Sequence, residues 1–133
     1  MNKNDIVTLA VNGTLMRGLE LENNLEEVNA QFLKESRTER AYRLFSINDK
    51  YPAMIKDAGG AAIEVELYSL EYQGLETILS KEPPGLTIDK IRLIDGSEAF
   101  GVVGLPFIIV DQKEITSYGG WRNYLKTGKE KAG

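Results

Sequence analysis

The apolar, partly β-branched run Ile6-Val7-Thr8-Leu9-Ala10-Val11 breaks at Asn12-Gly13, and a second glycine, Gly18, closes the stretch five residues later. So short a run suits a buried strand better than a helix. A strand that breaks into a glycine loop leaves backbone N–H groups without ladder partners, and several of these can converge on an anion or a polar ligand. Asn-Gly is also a common turn dipeptide, so the stretch alone is compatible with a tight turn or a ligand loop.

The 133 residues are enough for one domain with a single core. A net charge of -4 gives no electrostatic reason to expect nucleic acid, which needs clustered Lys and Arg. No apolar run reaches membrane-spanning length and the amino terminus lacks a signal-peptide pattern, so a cytoplasmic location without a membrane partner is expected. The chain has no cysteine, which excludes disulfides, thiol nucleophiles and thiolate metal sites. It has no histidine either, and so lacks the commonest general base and the commonest metal ligand. A Ser-His-Asp triad is impossible, and no metal site or cofactor is expected. Acid–base work falls to Asp, Glu, Lys or Tyr, with pKa values set by burial and neighbours.

Along the chain, Leu21, Leu25, Val28 and Phe32 form one apolar stripe at helical spacing, which predicts a helix over 20–35. Residues 41–47 alternate as a strand with Tyr42, Leu44 and Ser46 on one side, and 51–55 read as an edge segment because Pro52 cannot donate to a ladder. The clearest strand is 61–70, with Ile63, Val65, Leu67 and Ser69 on one face and Glu64, Glu66 and Tyr68 on the other, the two glutamates being read as solvated. A short helix over 72–81 stops at Glu82-Pro83-Pro84-Gly85. A hairpin about Asp95-Gly96, an apolar strand over 107–110 and a final helix after Gly119-Gly120 follow. Trp121 and Tyr124 lie three apart on that helix, and Trp121 is expected to close the core rather than face a dimer partner. Strands outnumber helices, which predicts a single α+β domain over 1–125 and a frayed polar tail over 126–133.

Several segments in this order resemble one family. Leu9-Ala10-Val11-Asn12-Gly13-Thr14-Leu15-Met16-Arg17-Gly18 is similar to the first strand and Tyr-Gly-Thr/Ser-Leu loop of the γ-glutamylcyclotransferase-like superfamily, with Asn12 in place of the usual Tyr. Tyr42-Arg43-Leu44-Phe45-Ser46, Tyr51-Pro52-Ala53-Met54 and Ile63-Glu64-Val65-Glu66-Leu67-Tyr68 follow in that superfamily's order. The closing Ile115-Thr116-Ser117-Tyr118-Gly119-Gly120-Trp121-Arg122-Asn123-Tyr124-Leu125 looks more specifically like the end of the carboxyl-terminal domain of allophanate hydrolase. The resemblance implies a barrel-like mixed β-sheet flanked by short helices, with a cavity near the first loop.

It also implies site residues. In the cyclotransferases a glutamate after the helix that follows the central hairpin is the acid–base group, and Glu82 matches its position. Some allophanate hydrolase domains carry a first-loop histidine implicated in decarboxylation, where this chain has Leu15. The chain departs from both patterns, keeping one's carboxylate and lacking the other's histidine. Glu82 is therefore the candidate general acid–base, with Asn12, Gly13, Thr14, Leu15, Met16 and Arg17 as candidate binding residues of the loop and Tyr118 as a possible pocket wall. Three functions stay open: cyclotransferase-like lyase chemistry on a γ-glutamyl or related amide, a decarboxylating or accessory role near allophanate and urea metabolism, and a non-catalytic dimerisation module. The expected partners are a small-molecule ligand and, for the last reading, a second copy of the chain.

Overall fold

The computed structural model describes residues 1–128. Strand β1 (Ile6–Val11) pairs antiparallel with β5 (Glu64–Glu71) on one side and parallel with β7 (Glu98–Gly104) on the other. Ladders on both edges explain why its second half, Leu9 to Val11, is fully buried. Strand β2 (Gln31–Arg37) extends this sheet beyond β5, and β6 (Leu86–Arg92) extends it beyond β7, giving five strands in the order β2-β5-β1-β7-β6. A second, three-stranded sheet runs β4-β3-β8, with β3 (Tyr42–Ile47) between β4 (Tyr51–Lys56) and β8 (Lys113–Glu114). The expected α+β domain with a mixed sheet is what forms, as two packed sheets rather than a closed barrel.

Helix α2 (Tyr72–Ser80) follows β5 and sends Leu75 and Ile78 into the core. It ends before the Pro83-Pro84 pair, as neither proline can continue it. The β6–β7 hairpin turns at Gly96, whose φ of 88° suits a glycine. The final helix, α3 (Trp121–Asn123), continues into a wider helical turn through Gly128, while 129–133 of the expected tail lie outside the described residues. Trp121 is 2% exposed within the core cluster, beside Tyr124 at 5.6 Å between ring centroids. The core position expected for it is the one it occupies.

Three local expectations are corrected. The helix predicted over 20–35 is only α1 (Glu22–Glu27); Asn29 turns left-handed at φ 56° and the chain then enters β2. The stripe of Leu21, Leu25 and Val28 serves that short helix, but a ladder of six residue pairs on the open edge of β5 outweighs helix propensity beyond it. The outer face of β5 is not solvated at Glu66 and Tyr68, because the loop after β1, the edge residue Phe32 and α3 cover it. Finally, Pro106 to Ile109 form a 3₁₀ turn instead of a strand, with Phe107 and Val110 left exposed. A proline at its first position lacks the N–H a ladder would need.

Candidate functional site

The loop leaving β1 meets the residues after α2 at the junction of the two sheets. There Val11, Asn12, Gly13, Thr14 and Leu15 line a recess together with Tyr51 and Pro52 from β4, Glu82 and Leu86 from the α2–β6 connection, and Val102 from β7. It is a shallow recess with a cavity volume of about 20 Å³, open to solvent on one side.

Each wall has a local cause. Gly13 sits where a Cβ would stand 2.5 Å from Pro52 Cδ, so only glycine lets the loop approach β4 this closely. Asn12 is buried and its amide nitrogen donates to the Val102 carbonyl at 2.8 Å, tying the loop to β7. Its amide oxygen accepts no hydrogen bond among the described residues. The Met16 N–H donates to the Gly13 carbonyl at 2.9 Å and the Leu21 N–H to the Thr14 carbonyl at 2.8 Å, which folds the loop into a compact turn. The N–H groups of Gly13, Thr14 and Leu15 donate to nothing among the described residues. Three consecutive unspent backbone donors in a turned loop form the kind of concavity that receives an oxygen acceptor.

Glu82 reaches the recess because α2 stops there, its own N–H donating to the Leu79 carbonyl at 3.1 Å. Its carboxyl has no hydrogen-bond or ion-pair partner among the described residues. The neighbouring Lys81 is turned away and paired with Glu27. Burial among the apolar side chains of Leu15, Pro52 and Leu86, with no compensating cation, pushes the Glu82 carboxyl up to about 7. Among the described residues no Lys or Arg lines the recess. The residues around the recess thus supply a carboxyl pushed up to about 7, three backbone N–H groups that donate to nothing among the described residues, and apolar walls.

Five of the sequence candidates line this recess: Glu82, Asn12, Gly13, Thr14 and Leu15. Three lie elsewhere. Met16 is fully buried in the core. The Arg17 guanidinium lies 3.9 Å over the Phe32 ring and bonds Glu35 at 2.8 Å and Glu66 at 3.4 Å. Tyr118 packs edge-on against Tyr124 at 5.2 Å beside Gly128. Sequence reasoning did not select Tyr51, Pro52, Leu86 or Val102 for the site. The first two belong to a segment recognisable in the chain, whereas Val102 reads as an ordinary strand residue and only pairing with β1 brings β7 there. Among the described residues no group of three or more Asp and Glu is arranged to hold a metal ion, and no helix is long and apolar enough to cross a membrane.

Residues 7–126 match the model of the allophanate hydrolase C-terminal domain. Over 133 aligned positions the sequence is 32% identical to a urea amidolyase of Saccharomyces cerevisiae, covering 94% of this chain but 7% of that protein. Among solved structures, a uropathogenic E. coli-specific protein superposes with a TM-score of 0.90 at 45% identity, covering 92% of this chain and 98% of that one. A mouse AIG2-like protein shares the fold at a TM-score of 0.58 and 18% identity, over 75% of this chain and 76% of that one. With that match over nearly its whole length, the chain belongs to the family of the allophanate hydrolase carboxyl-terminal domain.

Proposed function

We propose that the recess binds a compact, uncharged urea-type amide and that Glu82 acts on it as general acid–base. The observation that carries this reading is one unpaired, half-buried carboxyl near pKa 7 lining the same small space as three unspent backbone N–H groups. The N–H groups of Gly13, Thr14 and Leu15 would hold the carbonyl oxygen and stabilise charge developing on it. As a carboxylate, Glu82 would take a proton from a water as its oxygen bonds to the carbonyl carbon, and would then give that proton to the departing nitrogen as the C–N bond breaks.

A cyclotransferase-like lyase acting on a γ-glutamyl amide uses the same parts and is the second reading, supported by the position of Glu82. That substrate carries an α-carboxylate, for which the recess offers no Lys or Arg among the described residues. A carbamate carboxylate would meet the same lack of a cation, so an uncharged urea-type amide is the first reading, in keeping with membership in the allophanate hydrolase domain family. Leu15 lines the recess but cannot exchange a proton, so decarboxylation dependent on a first-loop side chain is not part of the proposal. The proposal keeps a cytoplasmic location and no nucleic-acid partner, the latter supported by the net charge of -4. A homodimer belongs to the dimerisation-module alternative, which sedimentation tests.

Titration of ¹⁵N-labelled protein with biuret, an uncharged urea-like amide, and with 5-oxoproline, the lactam carboxylate of cyclotransfer, tests both readings. Saturable shifts of the Gly13, Thr14 and Leu15 amides with biuret are expected. Shifts with 5-oxoproline alone would move the assignment to the second reading. No shift of these amides with either probe would overturn the small-molecule site.

A further inference from the structure

Glu66 stands on β5 directly opposite Val11, the last residue of β1 before the loop. It is 1% exposed. Its Oε1 accepts the Arg17 backbone N–H at 2.8 Å, and its Oε2 accepts from Arg17 Nη2 at 3.4 Å and Arg122 Nη2 at 3.0 Å. The same Arg122 nitrogen donates to the Arg17 carbonyl at 2.5 Å. One guanidinium on α3 therefore grips both the buried carboxylate and the backbone of the loop.

The route of Arg122 to this place is built into the closing segment. Gly119 adopts φ 79° and its carbonyl accepts the Glu64 N–H at 2.8 Å. Gly120 lies so near β5 that a Cβ would stand 2.8 Å from Glu64 Cβ. The two glycines let the chain cross β5 closely enough for Arg122, two residues later, to reach Glu66. The loop is thereby held at two ends, by the β1 ladder at Val11 and by Glu66 and Arg122 at Arg17. The three unspent amides of the recess hang between those two anchors.

We infer that Glu66 and Arg122 are positioning residues of the recess, fixing the first loop from its far end so that the Gly13, Thr14 and Leu15 amides keep one orientation. This rests on the reading of the recess as a ligand site. Groups that orient a binding constellation do so by locking its backbone from behind, without touching the ligand. Ion-paired hydrogen bonds are the strong and directional means available.

Amide hydrogen exchange in the full chain tests the inference without needing an activity. The reporters are the N–H groups of Met16, Arg17 and Leu21, each bonded within the loop or to Glu66. Arg122→Met keeps the apolar stem and removes both hydrogen bonds, and the β6–β7 ladder serves as the internal control for folding. We expect exchange at the three reporters to rise at least tenfold, with the β6–β7 amides unchanged. Arg122→Lys, whose single ammonium can still serve both acceptors, should restore most of the protection. Glu66→Gln, which keeps an acceptor for the Arg17 N–H, provides a second variant if Arg122→Met fails to fold. The affinity of wild type and variant for biuret, read from the Gly13 to Leu15 peaks, should fall at least fivefold with the same rank order. Unchanged exchange at the reporters, a rise spread evenly over the sheet, or no rescue by Lys would overturn the inference. A wild type that ignores biuret yet shows the exchange pattern would sink the ligand reading and leave the anchoring of the loop standing.

Discussion

Glu66 lies in the middle of β5 with donors on both carboxylate oxygens, whereas Glu82 follows the end of α2, half-buried and without a polar partner among the described residues. The first carboxylate is almost wholly removed from water, the second only in part. Burial exacts a desolvation cost at both places, and the two surroundings answer it differently. Around Glu66 the cost is offset by two guanidinium groups and a backbone N–H, which place donors on both carboxylate oxygens. Around Glu82 no described residue offsets it, and the carboxyl is pushed up to about 7. A carboxylate met by donors on both oxygens holds a fold together; an unpartnered one in a recess is available for chemistry.

Truncating each glutamate should break that comparison apart. Glu66→Ala strands the Arg17 and Arg122 side chains at a buried junction and should cost about 3–5 kcal/mol, in the range for breaking a buried pair. Glu82→Ala should cost far less, since it removes a group with no partner. Urea unfolding of both variants checks the contrast, and equal losses would mean that the two sites are energetically alike.

The next effect is smaller and depends on pH. The folded-state pKa of Glu82 lies near 7, raised by burial from 4.5. Between those values the folded chain binds more protons at this group than the unfolded chain does, so its contribution to stability falls as pH rises through the window. The loss should be on the order of 1–3 kcal/mol, reduced by the recess being partly open to water. Glu82→Gln no longer titrates. It should match wild type near pH 4 and exceed it in unfolding free energy at pH 8. A difference between the two proteins that stays constant with pH would show that Glu82 is solvated.

The smallest effect sharpens the role of exposure. Arg17 faces two carboxylates, buried Glu66 and exposed Glu35, the latter at 2.8 Å. Glu35→Ala should move Tm by no more than about a degree or two, as exposed pairs contribute little. A large drop would mean that Arg17 depends on β2 as much as on β5.

Much of the recess was legible in the chain. Asn12-Gly13 breaking an apolar run, and Glu82 set where two prolines end a helix, are both local signals, and their resemblance to a known pattern linked them. Glu66 was not legible. It alternates with Ile63, Val65 and Leu67 in the manner of a solvated outer face, and nothing near it in sequence announces Arg17, 49 residues earlier, or Arg122, 56 residues later. Phe32 misled for the same reason: its helical spacing continues past the point where the open edge of β5 captures the chain.

By itself the sequence determined the strands with clear alternation, the turns at glycine and proline, the absence of histidine and cysteine chemistry, and hence a carboxylate as the candidate acid–base group. These follow from backbone sterics, side-chain period and functional-group inventory, all of which act within a few residues. Only the tertiary structure decided that Val102 and Pro52 wall the recess, that the outer face of β5 is covered, and that one glutamate has donors on both carboxylate oxygens while another has no polar partner among the described residues. Desolvation and ion pairing depend on which distant segments pack over a residue, and that is set by strand pairing across the whole chain.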